Sequence, residues 1–383
     1  MARPVRAARE MRIALFTPLK PIDDPVPSGD LVMARQLRDR LAALGAEVVT
    51  PSRLKLWIPD PAHAPAVLAA ADAEAARLTA LWQAAPAARP DLWLTYHVYH
   101  KAPDTLGPRL ADAFGLPYGA IEASRALKRS TGPWAPCFAL ADRALARADA
   151  VAALHSEDAE GLAPIVPAAR LVRLPPFRDT ALFSAVRHRP TPSGAPLRLV
   201  TVAMMRDDVK LASYRLLADA LARLSDRAWT LTVIGDGPAR ATVEALFPPG
   251  RTRFTGALPP ESIAAHLAEA DLFVWPALSE AFGMALIEAQ AAGVPVVAGC
   301  TGGVPEVVAD NETGLLPPVG DAAAFAAAMA ALMDDPTRRA RFAAAAARRA
   351  PVANGLAAAE AALARLIATA IETHAHRYRG DRP

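Results

Sequence analysis

From residue 12 the chain alternates short apolar runs with longer stretches whose apolar positions recur at helical spacing. Residues 12–17 form the first run, a loop rich in Pro, Gly and Asp covers 18–30, a helical pattern covers 31–44 and closes on Gly45, and a second run covers 46–50. A strand, a glycine-terminated helix and another strand predict a βαβ unit, and hence a parallel sheet. The same pattern predicts further strands at 92–96, 117–121, 150–154 and 171–174, with helices between them.

Residues 187–196 are rich in proline and read as a linker. Beyond it the alternation restarts, with strands expected at 197–203, 229–235, 252–255, 272–275 and 295–298, and helices at 212–224, 239–246, 263–270 and 284–292. The alanine-rich stretch 322–373 is helical by pattern, with breaks expected at Pro336 and Pro351. No heptad persists in it, so it reads as helices packed on the domains and not as a coiled coil. The expected organisation is an extension at 1–10, disordered or preceding the true start, an α/β domain at 11–186, the linker, a second α/β domain at 197–350, and a terminal helix with a basic tail at 351–383.

An apolar fraction of 53% with 21% charged residues is that of a globular protein. The net charge of +3 sits in the tails: Arg3, Arg6 and Arg9 less Glu10 give +2, Arg377, Arg379 and Arg382 less Asp381 give another +2, and the rest carries −1. That distribution excludes a nucleic-acid-binding face, which needs clustered charge on a folded element. Cys137 and Cys300 are the only cysteines, too few for a disulfide scaffold or a cysteine zinc site, and they fit a reducing cytoplasm. The run at 13–16 is far shorter than a signal-peptide core, and no stretch reaches the ~18 apolar residues of a membrane span.

The most informative segment is Ser279-Glu280-Ala281-Phe282-Gly283-Met284-Ala285-Leu286-Ile287-Glu288-Ala289-Gln290. It follows an apolar strand ending in Trp275-Pro276 and passes through Gly283 into a helical pattern, so it reads as strand, tight loop and helix. Backbone N–H groups of Phe282, Gly283 and Met284 would be unpaired at the helix start, where they and the helix dipole favour a diphosphate. Glu288, four residues after Met284, is placed beside a nucleotide, where a carboxylate accepts the ribose hydroxyls. Glu280, before the helix, is placed for the hydroxyls of a sugar. As a bare pair, the two glutamates would equally be a helix cap and a solvated side chain.

The surrounding motifs decide between these readings. Ala292-Gly293-Val294-Pro295-Val296-Val297, Gly302-Gly303-Val304-Pro305-Glu306-Val307-Val308, Glu312-Thr313-Gly314-Leu315-Leu316, Val233-Ile234-Gly235-Asp236-Gly237-Pro238 and Phe254-Thr255-Gly256 stand in order around the two glutamates. In this order and spacing the chain resembles the family 4 glycosyltransferases of the GT-B fold, over about residues 11–350 and most strongly in the second domain. The resemblance implies two Rossmann-like α/β/α lobes facing each other across a donor-binding cleft, with the terminal helix crossing back to pack on the first lobe. It implies a sugar contact for Glu280, a ribose contact for Glu288, and sugar and phosphate contacts for the backbone of Phe282 and Gly283. It further implies transfer from a nucleoside-diphosphate sugar with retention, with no essential metal and no cofactor beyond that co-substrate. The acceptor would be a sugar or lipid-linked sugar in cell-surface polysaccharide or glycolipid synthesis.

Arg206 and Lys210 follow the first strand of the second domain, where an α/β sheet opens its binding crevice, and supply positive charge for the diphosphate. Family members commonly show Gly-Arg-Leu and a Lys about five residues on; here the stretch is Ala203-Met204-Met205-Arg206-Asp207-Asp208-Val209-Lys210, with shorter spacing and two aspartates between. The Gly235-Asp236-Gly237-Pro238 segment lacks the third glycine of a dinucleotide fingerprint and reads as a tight loop that lets ribose or base approach, with the base near Gly256 to Leu258. In the first domain Gly29 lies in the loop Pro27-Ser28-Gly29-Asp30 before a helix, where its backbone could approach the donor or where Ser28 or Asp30 simply caps an ordinary helix start.

Tyr96-His97-Val98-Tyr99-His100-Lys101 ends a strand, and His97, His100 and Lys101 are candidates on the acceptor side, His100 with a catalytic role. No acidic or cysteine partner is spaced to complete a metal site with the two histidines, so no metal is expected. Where the family often has a histidine this chain reads Ala120-Ile121-Glu122-Ala123-Ser124, which makes Glu122 the candidate for a sugar hydroxyl. Two basic and aromatic loops, Arg53-Leu54-Lys55-Leu56-Trp57 and residues 125–134, suggest peripheral contact at the inner face of a membrane. The rival readings are a nucleotide-sugar epimerase on the same plan and a catalytically silent nucleotide-sugar-binding subunit.

Overall fold

The computed structural model describes residues 11–26, 28–186, 188–192, 194–281 and 283–380. The extension expected at 1–10, Phe282 and residues 381–383 of the basic tail lie outside the described residues. The chain forms two compact units, the first running to Leu174 and resuming at Ala359, the second spanning Pro175–Ala358.

The first unit is built on six strands, β1 (Arg12–Phe16), β2 (Glu47–Val49), β3 (Leu92–Val98), β4 (Tyr118–Ala123), β5 (Ala150–Ala153) and β6 (Leu171–Arg173), in the spatial order β2-β1-β3-β4-β5-β6. Every neighbouring pair is parallel. Every residue of β4 and β5 is buried, as a parallel sheet covered on both faces requires. Phe16, Trp82 and Trp93 cluster in its core with ring centroids 5.7 and 6.2 Å from Trp93. The chain moves from β1 to β2 on one side and then crosses to β3 on the other, so the strand order reverses between β1 and β3.

The second unit repeats the plan with β7 (Leu197–Val202), β8 (Trp229–Ile234), β9 (Thr252–Gly256), β10 (Leu272–Trp275), β11 (Val296–Ala298) and β12 (Gly314–Leu315), ordered β12-β11-β10-β7-β8-β9. Here the order reverses between β7 and β10. Crevices at such reversal points, outside the carboxyl ends of the strands, are where open α/β sheets take ligands.

Several expected boundaries move, each for a local reason. The first helix runs Gly29–Ala43, because Ser28 Oγ accepts from Leu31 N at 3.3 Å and starts the helix two residues early; Gly29 is therefore the first helical residue and not a loop glycine. The helix after β7 runs Val209–Ala222, started by Asp208, whose carboxylate accepts from Lys210 N at 2.7 Å. The second unit begins at Pro175: Phe183 lies in its core, and Arg178 N donates to Asn354 O at 2.9 Å. The expected linker is tied to this unit, with Arg189 N on Ala268 O at 2.7 Å and Thr191 N on Asp271 Oδ1 at 2.9 Å.

The alanine-rich end also departs from expectation. Asp335 caps a helix with Pro336 in its first turn, as expected, but Pro351 lies inside that helix (Pro336–Ala353) and does not break it. Only two further residues follow Pro351, and the break falls at Asn354 and Gly355, where a Cβ on Gly355 would stand 2.1 Å from Pro351 O. By length and composition Pro336–Arg377 includes a stretch apolar enough to cross a membrane, which corrects the expectation that none exists. Its Phe342, Ala346, Leu363 and Leu366 are fully buried against protein, as in the core helix of a globular unit.

The last helix, Leu356–Gly380, enters the first unit from Ala359 and is fastened at two points. Arg40 Nη1 meets Glu360 Oε1 at 2.9 Å, and Arg377 Nη2 meets the wholly buried Asp149 at 3.0 Å. Asp149 also takes Arg147 at 3.2 Å and the backbone N–H of Tyr118 at 2.9 Å. Burial alone would raise its pKa; His374, the Tyr118 N–H, Arg147 and Arg377 together hold it below the usual carboxylate value. Its contribution to stability is thus complete above the unfolded-state pKa of about 3.9 and is lost as pH falls through the depressed folded value. Replacing Asp149 with Asn should cost about 3 kcal/mol at neutral pH, because it leaves two arginines facing a neutral group, and should flatten the acid limb of stability against pH; denaturant titrations at several pH values measure both.

Candidate functional site

At the reversal point of the second sheet, the loop after β10 meets the helix that follows β7. Lys210 Nζ and Glu280 Oε2 are 2.7 Å apart with both side chains about four-fifths buried, and the ammonium lies 5.4 Å from the centre of the Trp275 ring. The pair is held from several sides. Ser213 Oγ accepts from Leu278 N at 3.2 Å, and Gly303 N donates to Glu280 O at 3.0 Å. Gly302 has a φ of 50°, and a Cβ there would stand 2.3 Å from Glu280 O, so only glycine lets the two loops approach.

Gly283, with a φ of 62°, is the N-cap of the helix Met284–Ala291, and no side chain caps that end. The first carbonyl accepts from Leu286 N and Ile287 N. The N–H groups of Met284 and Ala285 therefore stand at the positive end of the helix dipole without a partner among the described residues, as an anion site requires.

One turn on, Glu288 is 6% exposed, which rules out a solvated face. Arg178 Nε donates to its Oε1 at 2.6 Å. Burial raises the Glu288 pKa above the usual carboxylate value, against the opposing charge and hydrogen bond of Arg178. Arg178 lies ahead of the expected linker and was assigned to the other domain on sequence; its only signal is a positive charge far from the motif in a chain order that gave no reason to join them.

Other expected donor residues divide. Arg206 Nη2 lies 3.4 Å from Met204 Sδ, on neither neighbouring aspartate. Gly235 and Gly237 have φ of 148° and 154°, and a Cβ on them would stand 1.9 Å from Ala203 O and 2.3 Å from Met205 O. The close approach these glycines permit within the protein is that of the loop after β7. Gly235 N donates to Gly256 O at 2.9 Å, and Leu258 packs half-buried on the core. A separate cavity of about 430 Å³ lies at the far end of this sheet, by Leu197, Arg227 and Asp334.

The first unit has its own cluster at the reversal between β1 and β3. His97 Nδ1 lies 3.5 Å from Glu122 Oε1 and 3.6 Å from Asp30 Oδ1. This corrects the reading that no acidic partner reaches the histidines, and it involves only one of them. β3 and β4 run past their expected ends to include His97 and Glu122, which are left-handed with φ of 71° and 55°. Each such residue costs roughly 1–3 kcal/mol and is held only where surrounding structure imposes it. Burial lowers the His97 pKa and lifts that of Glu122 well above the carboxylate range. His100 stands edge-on to Trp134 with centroids 5.1 Å apart, and Lys101 Nζ lies 5.3 Å from the same ring. Of the two expected membrane loops, Trp134 is buried and Trp57 is 46% exposed.

Residues 196–335 match the family model described as Glycosyl transferases group 1. The chain is 33% identical over 190 residues to a D-inositol 3-phosphate glycosyltransferase of Corynebacterium glutamicum, covering 45% of this chain and 46% of that protein. It thus spans just under half the length of that relative. Among solved structures, a sucrose-phosphate synthase of Thermosynechococcus elongatus superposes with a TM-score of 0.72 at 21% identity, covering 94% of this chain and 99% of the other. HepE of Anabaena in complex with UDP-glucose superposes with a TM-score of 0.66 at 18% identity, covering 94% and 100%. These likenesses show the fold, two α/β units of GT-B type.

Because Glu288 is raised by burial, its contribution to stability is complete below the unfolded-state pKa of about 4.3 and is lost as pH rises through the folded value. Arg178→Met should raise that pKa further and destabilise the protein by about 3 kcal/mol above it, with the loss relieved in acid; stability measured against pH tests the sign.

Proposed function

We propose that the chain transfers a sugar from a nucleoside-diphosphate donor held in the second unit, where residues 196–335 match the family model Glycosyl transferases group 1. The observation that carries the reading is the Lys210–Glu280 pair beside the uncapped N-terminus of the helix Met284–Ala291, at the sheet's reversal point. The diphosphate would take the Lys210 ammonium and the N–H groups of Met284 and Ala285, with Arg206 closing from its exposed loop. Glu280, released from Lys210, would accept sugar hydroxyls. Glu288 would receive the ribose through Oε2, since Arg178 holds Oε1. The UDP-glucose in the Anabaena structure supports a donor of this class.

In the transfer, the bond from the anomeric carbon to the diphosphate breaks while the acceptor oxygen bonds to that carbon on the same face, with retention. The acceptor proton passes to the departing phosphate oxygen. Charge on that oxygen is met by Lys210, Arg206 and the helix end, so no cation is required at the diphosphate. The acceptor is proposed to be a sugar or lipid-linked sugar, met by His97, His100, Lys101 and Glu122 of the first unit. The exposed Trp57 beside Arg53 and Lys55 would rest on a membrane bearing it.

A thermal-shift panel of nucleoside diphosphates is expected to pick out one base, because a ligand that binds only the native state raises Tm. Glu288→Ala should weaken that ligand about 10–100-fold, the value of a hydrogen bond to a charged group, and Lys210→Ala should do the same, while EDTA should leave affinity unchanged. Equal affinity in both variants, or binding that needs Mg²⁺, would overturn the donor assignment. Donor turnover that needs no acceptor would place the chain with the epimerases instead.

A further inference from the structure

The carboxylate assigned to the ribose is tied to a part of the chain far from its own motif. Pro176, Phe177 and Arg178 open the second unit, and Asn354 lies close to its end. The two segments clasp each other. Arg178 N donates to Asn354 O at 2.9 Å, and Asn354 Nδ2 donates back to Pro176 O at 2.8 Å, across 178 residues of sequence. Asn354 is 1% exposed, Phe177 is wholly buried, and Asn354 N closes the helix Pro336–Ala353 on Ala350 O at 2.9 Å. The backbone that carries Arg178 is therefore fixed from both sides, which limits where its guanidinium reaches.

The way that guanidinium meets Glu288 is informative. An arginine that neutralises a carboxylate frequently takes both oxygens through two parallel N–H groups. Arg125 and Asp142 of the first unit do so, with Nε on Oδ1 at 2.9 Å and Nη2 on Oδ2 at 2.8 Å. Arg178 instead reaches Glu288 through Nε alone, on Oε1 at 2.6 Å. Among the described residues no hydrogen bond is made to Oε2. Buried polar groups are almost always hydrogen-bonded, so a free oxygen on a side chain only 6% exposed points to a partner from outside the chain.

We propose that Arg178, held in place by Asn354, positions the Glu288 carboxylate, committing Oε1 and presenting Oε2 to the ribose, and so makes the second unit selective for nucleotides that carry the ribose hydroxyls. This role rests on the donor reading above and adds to it a residue that acts through Glu288 without touching the nucleotide. A carboxylate fixed before the ligand arrives loses little freedom on binding. Without Arg178 the Glu288 side chain is free to turn, and burial without the opposing cation favours its protonated form. Lys210 and the N–H groups of Met284 and Ala285 lie outside the clasp, so contacts to the diphosphate do not depend on it.

The test measures, on the full chain, the affinity of UDP and of GDP beside their 2′,3′-dideoxy analogues by calorimetry. For the base that binds more tightly, the wild type should prefer the ribose form ~10–100-fold, the value of a hydrogen bond to a charged group. Arg178→Met should bring that preference to within about twofold of that in Glu288→Ala, with the dideoxy form bound as in the wild type, and the double variant should lose nothing more. Arg178→Lys, which keeps the charge without the planar fork, should retain an intermediate preference and serves if the Met variant does not fold. Asn354→Ala should lower the preference in the same direction. If the Arg178 variants weaken both forms equally, or keep the wild-type preference, Arg178 is a structural contact only, and the positioning role is overturned while the donor site stands. A wild type that binds both forms alike overturns the ribose assignment of Glu288 and this role with it, and one that binds neither nucleotide overturns the donor reading itself.

Discussion

The ion pair between Lys210 and Glu280 is the contact on which the chemistry proposed for the second unit depends, and its position follows from sheet topology. β7 and β10 are neighbours in space but leave the sheet toward opposite sides, so the loops at their carboxyl ends diverge and open a crevice. A cation from the first turn of the helix after β7 and a carboxylate from the loop after β10 close it at 2.7 Å. With both side chains largely buried, each charge is stabilised mainly by the other, and an anion that takes the ammonium must offer the carboxylate a replacement. A sugar diphosphate has both groups, a charged end for Lys210 and hydroxyls for Glu280.

The surroundings of this pair are built from backbone. Gly302 and Gly303 press against the Glu280 carbonyl, Ser213 anchors the loop at Leu278, and Tyr214 donates to Ala203 O at 2.8 Å to fix the loop after β7. Gly235 and Gly237 admit that same loop at distances no side chain would tolerate. Catalytic geometry needs this kind of support, since a site loose by an ångström loses most of its advantage. These glycines of the second unit therefore let the loops that carry the charged groups approach one another.

What could be read from sequence had local causes. Strand and helix alternation followed from apolar periodicity, and the eight-residue spacing of Glu280 and Glu288 around Gly283 placed one carboxylate before a helix and the other on its second turn. The aspartate at 208 was legible only in the structure, where it proves to be a helix cap and not a competitor for Lys210. Arg178 and Glu288 lie 110 residues apart, and no local pattern joins them. The cluster of Asp30, His97 and Glu122 depends on a left-handed residue one place before the end of each strand, which apolar alternation does not encode, so both strands were expected to stop two residues short. Pro351 misled for a related reason: a proline close to the end of a helix removes little hydrogen bonding, and Asn354 with Gly355 sets the stop.

The most direct measurement is a crystal structure of the protein grown with UDP. The account predicts the diphosphate within hydrogen-bond distance of Lys210 Nζ and the Met284 N–H, the ribose hydroxyls on Glu288, and Glu280 parted from Lys210. A nucleotide bound elsewhere, for instance in the cavity beside Arg227 and Asp334, with the Lys210–Glu280 pair still closed, would contradict it.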